Sequence, residues 1–282
     1  MRWPASLLLS ALFLGAPVAA VTETLWIDSP DQCRLRALSQ GAGQTLVFVP
    51  GWTMTAEIWQ GQMDYFSKDH RVLSFDPRGQ GQSSKPSHGY DSRRRARDIR
   101  AVLEQAQAGP AVLIGWSLGA VDVVNYLQQF GTQGLRAVVL IDNSVDRRYA
   151  SAPPAERLLE RLRRDPYEEV ISGFVPSMFQ SAIPQAQLRE ITRLSLLTPS
   201  FAARESLAKA TTGEGLASGL GGSGLPTLYM VTPHFAPEGA RLKAVLGDSF
   251  HVEVFEHSGH ALFIDEASHF NQSLSAFLQS LP

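Results

Sequence analysis

The sequence predicts an α/β protein: a mostly parallel twisted sheet flanked by helices, with a helical segment inserted late in the chain. Three observations carry that prediction. Short, continuous apolar runs such as Thr45–Val49 and Leu135–Ile141 have the length and character of strands buried on both faces, and helical spacing follows some of them. One such run, Ala111 to Ile114, passes through Gly115-Trp116-Ser117-Leu118-Gly119 directly into a helical apolar pattern. Residues 145–219 then break the alternation, because Pro153 and Pro154 are followed by charged and apolar residues at helical spacing. A chain of 282 residues is long enough for one large core carrying such an insertion.

The chain opens on Met1 and Arg2, then an apolar run from Ala5 to Ala20 that ends in small residues. This is the pattern of a secretory leader, with cleavage expected after Ala20 and a periplasmic or secreted product. The run is short for a membrane span, so no stable membrane insertion is expected once it is removed; an uncleaved anchor is the alternative. Cys33 is the one cysteine, which rules out an internal disulfide and reads as a small buried hydrophobe. A formal net charge of −2 argues against a general nucleic-acid binder. Oligomeric state is not legible.

Thr24 to Leu38 reads as a hairpin turning at Ser29, Pro30 and Asp31. The strand Thr45–Val49 stops at Pro50-Gly51-Trp52, a helix is expected around Trp59 to Phe66, and the strand Arg71–Phe75 runs into Asp76-Pro77-Arg78-Gly79-Gln80-Gly81-Gln82-Ser83. Arg93, Arg94, Arg95, Arg97 and Arg100, interleaved with Asp91 and Asp98, read as a solvated helix face rather than an anion site. After the segment around Ser117 come the strand Leu135–Ile141, ending at Asp142, and the helical insertion. The glycines from Gly219 to Gly224 lack a preceding strand and a lysine, so they read as a re-entry linker and not a phosphate loop. Strands at Leu225 to Thr232 and His251 to Phe255, then a helix from Ala267 to Leu281, complete the chain. The expected division is a leader at 1–20, a core at 21–144 and 220–282, and a cap at 145–219.

Gly115-Trp116-Ser117-Leu118-Gly119 matches G-x-S-x-G in its strand-turn-helix context. A sharp turn there pushes the Ser117 hydroxyl out of the sheet edge, flanking glycines remove clashing Cβ atoms, and the helix N-terminus behind it suits an oxyanion. A serine hydroxyl is a weak nucleophile at neutral pH, so it needs a base and a group that orients the base. Of seven histidines, His260 is the candidate: it follows a strand near the C-terminus in Ser258-Gly259-His260. His257 is its rival but lacks the preceding glycine. His70, His88, His234, His251 and His269 read as surface or loop residues, and no metal-ligand spacing is present.

Together these stretches resemble the α/β-hydrolase family. Pro50-Gly51-Trp52 stands where that family usually has His-Gly-x, Asp76-x-Arg78-Gly79-x-Gly81-x-Ser83 matches its D-x-R-G-x-G-x-S run, and Ser117 occupies its nucleophile elbow. The resemblance implies an oxyanion hole from the backbone N–H groups of Trp52 and Leu118, a base at His260, and a bracing role for Asp76 and Arg78. It also implies an acid in the loop after Leu225 to Thr232, yet Pro233-His234-Phe235-Ala236-Pro237 contains no carboxylate. Asp142, at the end of the preceding sheet strand, is the favoured acid; Glu238, another residue, or a Ser-His dyad are the alternatives. The expected activity is cofactor-free hydrolysis of a small or medium carboxylic ester, thioester or lactone through an acyl-Ser117 intermediate. A perhydrolase using the same residues and a non-catalytic hydrolase-fold binding protein are the alternatives. Serine rather than aspartate at the elbow argues against dehalogenase and epoxide hydrolase chemistry, which need an alkylated carboxylate.

Overall fold

The computed structural model describes residues 21–146 and 154–282, so the expected leader and residues 147–153 lie outside the described residues. The opening hairpin forms from β1 (Glu23–Asp28) and β2 (Arg34–Gln40) and is antiparallel. There follow β3 (Thr45–Val49), a 3-10 turn at Ala56–Trp59, α1 (Gln60–Phe66), β4 (Arg71–Phe75), α2 (Ser92–Gln105), β5 (Ala111–Trp116), α3 (Leu118–Phe130) and β6 (Leu135–Ile141). The insertion supplies α4 (Pro154–Arg164), α5 (Tyr167–Ser177), α6 (Gln185–Ser195), α7 (Ser200–Ala208) and the short α8 (Leu216–Leu220). The chain ends through β7 (Thr227–Val231), α9 (Ala236–Leu246), β8 (Phe250–Val254), α10 (Leu262–Asp265) and α11 (Ala267–Ser280).

The eight strands form one sheet in the order β1-β2-β4-β3-β5-β6-β7-β8. Only β1 against β2 and β2 against β4 pair antiparallel; from β4 to β8 the sheet is parallel. From β3 the chain moves outward to β4, and from β5 it moves outward in the opposite direction. The strand order therefore reverses between β3 and β5, and a crevice opens beyond their C-terminal ends. Strand pleating sorts the core onto two faces: Leu46 and Phe48 of β3 join the cluster under α1, α11 and the insertion, while Val47 and Val49 join the one under α2, α3 and α9. Cys33 is buried as expected, and its thiol is pushed up to about 12 by burial.

Four elements depart from the sequence reading. Arg93, Arg97 and Arg100 are exposed on α2, but Arg95 and Asp98 are buried. Arg95 Nε donates to both oxygens of Asp122 on α3 at 2.9 Å, and Asp98 accepts from Arg78 at 2.6 and 2.7 Å. The solvated-face expectation fails for these two because each charge found a partner on another element, which spacing along one helix does not reveal. Part of the glycine-rich stretch expected as a linker is helical, since α8 packs its Leu216 and Leu220 into the core beneath α3. Finally, α5 and α9 were not expected: Gly173 and Pro176 interrupt the first, and Pro237 near the start of the second reads as loop.

Candidate active site

Ser117 connects β5 to α3 with φ 55° and ψ −120°, a positive-φ conformation rare for a residue with a side chain, which turns the chain sharply. The neighbouring glycines are required by close approach. A Cβ on Gly115 would stand 2.5 Å from Gly119 O, and one on Gly119 would stand 2.3 Å from Val49 O at the end of β3. No side chain fits between those backbones.

His260 reaches this serine from the loop after β8: its Nε2 lies 2.8 Å from Ser117 Oγ, and its Nδ1 lies 2.7 Å from Asp142 Oδ2. A carboxylate only accepts, so Nδ1 carries the proton and Nε2 is left to accept from the serine hydroxyl. Asp142 is buried directly after β6, and its other oxygen accepts from Thr232 N and Thr232 Oγ1, each at 2.8 Å. Asp142 N in turn donates to Met230 O at 2.9 Å. Trp116 Nε1 donates to His260 O at 2.8 Å, which ties the histidine loop back to β5.

Glu238, the alternative acid, stands elsewhere. On the first turn of α9 its Oε1 accepts from Val145 N at 2.8 Å and Asp146 N at 2.9 Å, and burial pushes its carboxyl above the usual range. It braces the segment leaving Asp142. His257, His88 and His251 are exposed, and His269 lies 3.0 Å from Glu253. His234 stands on the rim of the cavity that contains Ser117.

Of the expected oxyanion donors, Trp52 lies in the loop after β3 and Leu118, next to Ser117, opens α3. A Cβ on Gly51, beside Trp52, would stand 3.1 Å from Ser117 Cβ. Residues 51–54 are held by the one amide of Gln80: its Oε1 accepts from Thr53 N at 2.9 Å, and its Nε2 donates to Gly51 O at 3.2 Å and Met54 O at 2.6 Å. Thr53 takes φ 60°, uncommon for a β-branched residue, and Ser195 of α6 donates to its hydroxyl at 2.7 Å. The Trp52 indole donates to Ala203 O of α7 at 2.7 Å and meets the Phe174 ring of α5 edge-on. Asp76 accepts from Ala56 N and Gln82 N at 2.8 Å each, and Arg78 is clamped by Asp31 and Asp98, so both brace loops under the site.

Ser117, Asp142 and His260 lie in one cavity of about 560 Å³, walled on the insertion side by Leu158, Phe174, Met178 and Leu207. A separate cavity of about 310 Å³, between the 3-10 turn and α6, contains none of the candidate residues. Among the described residues no cluster of His, Cys, Asp and Glu is arranged to hold a metal, and no helix is long and apolar enough to cross a membrane.

A sequence model of the α/β-hydrolase fold matches residues 44–200, from β3 through the elbow and into the insertion. The chain belongs to the α/β-hydrolase fold family. Over 100 residues this family member is 36% identical to a non-heme chloroperoxidase of Streptomyces lividans, an alignment covering 35% of this chain and 36% of the relative. Over 97 residues it is 33% identical to a bifunctional esterase/perhydrolase of Acinetobacter calcoaceticus, covering 34% and 35%. The chain thus spans about a third of the length of these curated relatives. Among solved structures, an esterase from Exiguobacterium antarcticum superimposes with a TM-score of 0.80 at 25% identity, over 90% of this chain and 99% of that one.

Sequence reasoning did not single out Gln80, Thr232 or Asp265 of the histidine loop's helix. Gln80 fills a variable position of the D-x-R-G-x-G-x-S run and Thr232 follows β7. Those positions were the available signals, but the contacts each residue makes depend on elements far away in the chain.

Proposed function

We propose that this hydrolase-fold protein is a serine hydrolase of small or medium carboxylic esters, thioesters or lactones. One observation carries the reading: the unbroken chain Asp142–His260–Ser117, at 2.7 and 2.8 Å, opening into a cavity with an apolar wall. The Ser117 hydroxyl attacks the substrate carbonyl while His260 Nε2 takes its proton. Negative charge develops on the carbonyl oxygen, where the Trp52 and Leu118 N–H groups stabilise it. The intermediate collapses as the imidazolium gives its proton to the leaving alcohol or thiol, leaving acyl-Ser117. Water, deprotonated by His260, then attacks the acyl carbon; the acyl–Oγ bond breaks as the imidazolium returns its proton to Ser117, and the acid leaves. Asp142 holds the tautomer and stabilises the imidazolium in both halves.

A non-catalytic binding protein would be favoured by an imidazole with no carboxylate in reach, and Asp142 supplies one. The test is fluorophosphonate labelling of wild type, Ser117→Ala and Asp142→Asn, followed by an ester panel. Labelling should vanish with Ser117→Ala, and turnover should fall by roughly 10⁴-fold with Asp142→Asn, the scale of a wrong-tautomer triad. A wild type that is folded yet unlabelled would reject the reading.

A further inference from the structure

One carboxylate outside the triad joins the loop of the base to the insertion. Asp265, the last residue of α10, accepts through Oδ2 from Gly259 N at 2.7 Å and Gln180 N at 2.9 Å. Through Oδ1 it accepts from Ser181 N at 3.0 Å and from the Ser181 hydroxyl. Gly259 immediately precedes His260; Gln180 and Ser181 belong to the linker between α5 and α6. On the other side of the histidine, Ala261 N donates to Met178 O of the same linker at 3.0 Å. His260 is therefore bracketed, with the residue before it tied to the linker through Asp265 and the residue after it tied directly. The two backbones also touch, since a Cβ on Gly259 would stand 2.6 Å from Met178 O and 2.9 Å from Gln180 N.

We propose that Asp265 is a positioning residue for His260, so that the seated insertion is part of what aims the imidazole at Ser117. This rests on the reading of Ser117 and His260 as nucleophile and base. Asp265 touches neither substrate nor reacting atoms. It acts because hydrogen bonds to a carboxylate are stronger than neutral ones, and here one carboxylate gathers donors from both segments. Without it, three backbone N–H groups lose their common acceptor and the loop is free to part from the linker. Trp116 still holds His260 O from the β5 side. The histidine is then tilted rather than lost, and a small tilt of a base lowers the rate of proton transfer more than it weakens substrate binding.

The test is steady-state hydrolysis of a short p-nitrophenyl ester by wild type, Asp265→Asn, Asp265→Ala and Ser181→Ala, each with thermal melting and fluorophosphonate labelling rates. In Asp265→Ala, kcat should fall about tenfold or more, the scale of a modest misplacement, with KM held within about twofold. Asp265→Asn, which keeps one acceptor oxygen, should fall less, and labelling rates should follow the same order. Wild-type kcat in Asp265→Ala overturns the proposal, and so does a loss carried by KM alone, whatever happens to the melting temperature. Should Asp265→Ala not fold, Asp265→Asn and Ser181→Ala decide: full kcat in both overturns it, and a fall in kcat at unchanged KM supports it. A folded wild type that neither labels nor turns over overturns the underlying reading, and the proposal with it.

Discussion

Ser117 occupies a backbone region that costs an L-residue about 1–3 kcal/mol, and the surrounding structure leaves it no alternative. Gly115 and Gly119 are pressed against carbonyls on either side, so the strain is held by contacts that no other residue type permits. Those glycines, and the one before His260, are what made Ser117 and His260 stand out in the sequence. Gly259 is required by space rather than by backbone conformation. Its φ is not in the left-handed region; a side chain is excluded there by the backbone of the α5–α6 linker. Asp142 was legible only as a favoured alternative, because a strand-end aspartate has many uses and its partner His260 lies 118 positions away. Gln80 was not legible at all, and its role gives a sharp expectation. In Gln80→Leu the Thr53 N–H loses its acceptor in a buried place, which should lower stability by about 1–3 kcal/mol. The loop bearing Trp52 should also relax, so kcat should fall about tenfold or more while KM changes little. Ester kinetics with a denaturant titration would read both, and wild-type kcat would show that the loop holds itself.

Among the elements, α2 shows how a surface-like pattern becomes an interior one. Its exposed arginines face water, while Asp98 turns inward to Arg78, which also holds Asp31 from the opening hairpin at 3.0 Å. Beside Arg78 the Asp31 carboxyl is held down at about 2, against an ordinary 3.8. The unfolded chain therefore takes up this proton first as pH falls, so the contribution of Asp31 to stability is complete above about pH 4 and is lost between about 4 and 2. Buried Asp98 slopes the other way, because burial, the largest influence on it, pushes its carboxyl up. Comparing wild type with Asp31→Asn isolates the first effect: the gap between their denaturation midpoints should be open at pH 5 to 7 and close as pH falls toward 2. A gap independent of pH over that range would show that Asp31 acts through its neutral contacts alone. Strands were the more legible elements, because a strand buried on both faces needs an uninterrupted apolar run, as in β3 and β6. Helix α5 was hidden because tertiary packing tolerates Gly173 and Pro176 where local propensity does not, and α9 because Pro237 reads as loop although it sits in the first helical turn, where no N–H is needed.

For the whole molecule, the sheet order sets where chemistry can occur and the insertion sets what can reach it. The reversal between β3 and β5 puts the Trp52 loop and Ser117 side by side, and the parallel strands beyond bring Asp142 and the His260 loop to the same edge. Over them, α5 and α7 meet the Trp52 ring through Phe174 and Ala203. Removing the Phe174 ring should enlarge the cavity without touching the triad. In Phe174→Ala the ratio of kcat/KM for a bulky over a small ester should rise about tenfold or more, the scale on which apolar pockets discriminate. An unchanged ratio would place the discriminating wall elsewhere. The sequence by itself determined the fold class and pointed to Ser117 and His260, because each is written in local chemistry: buried runs for strands, glycines for a forced turn, a histidine in a tight loop after the last strand. Only the tertiary structure brought Asp142 rather than Glu238 against His260, turned Arg95 and Asp98 inward, and gave Gln80, Thr232 and Asp265 their contacts. Each of those outcomes depends on which distant groups the sheet and the insertion bring within hydrogen-bonding distance, and no local pattern encodes that distance.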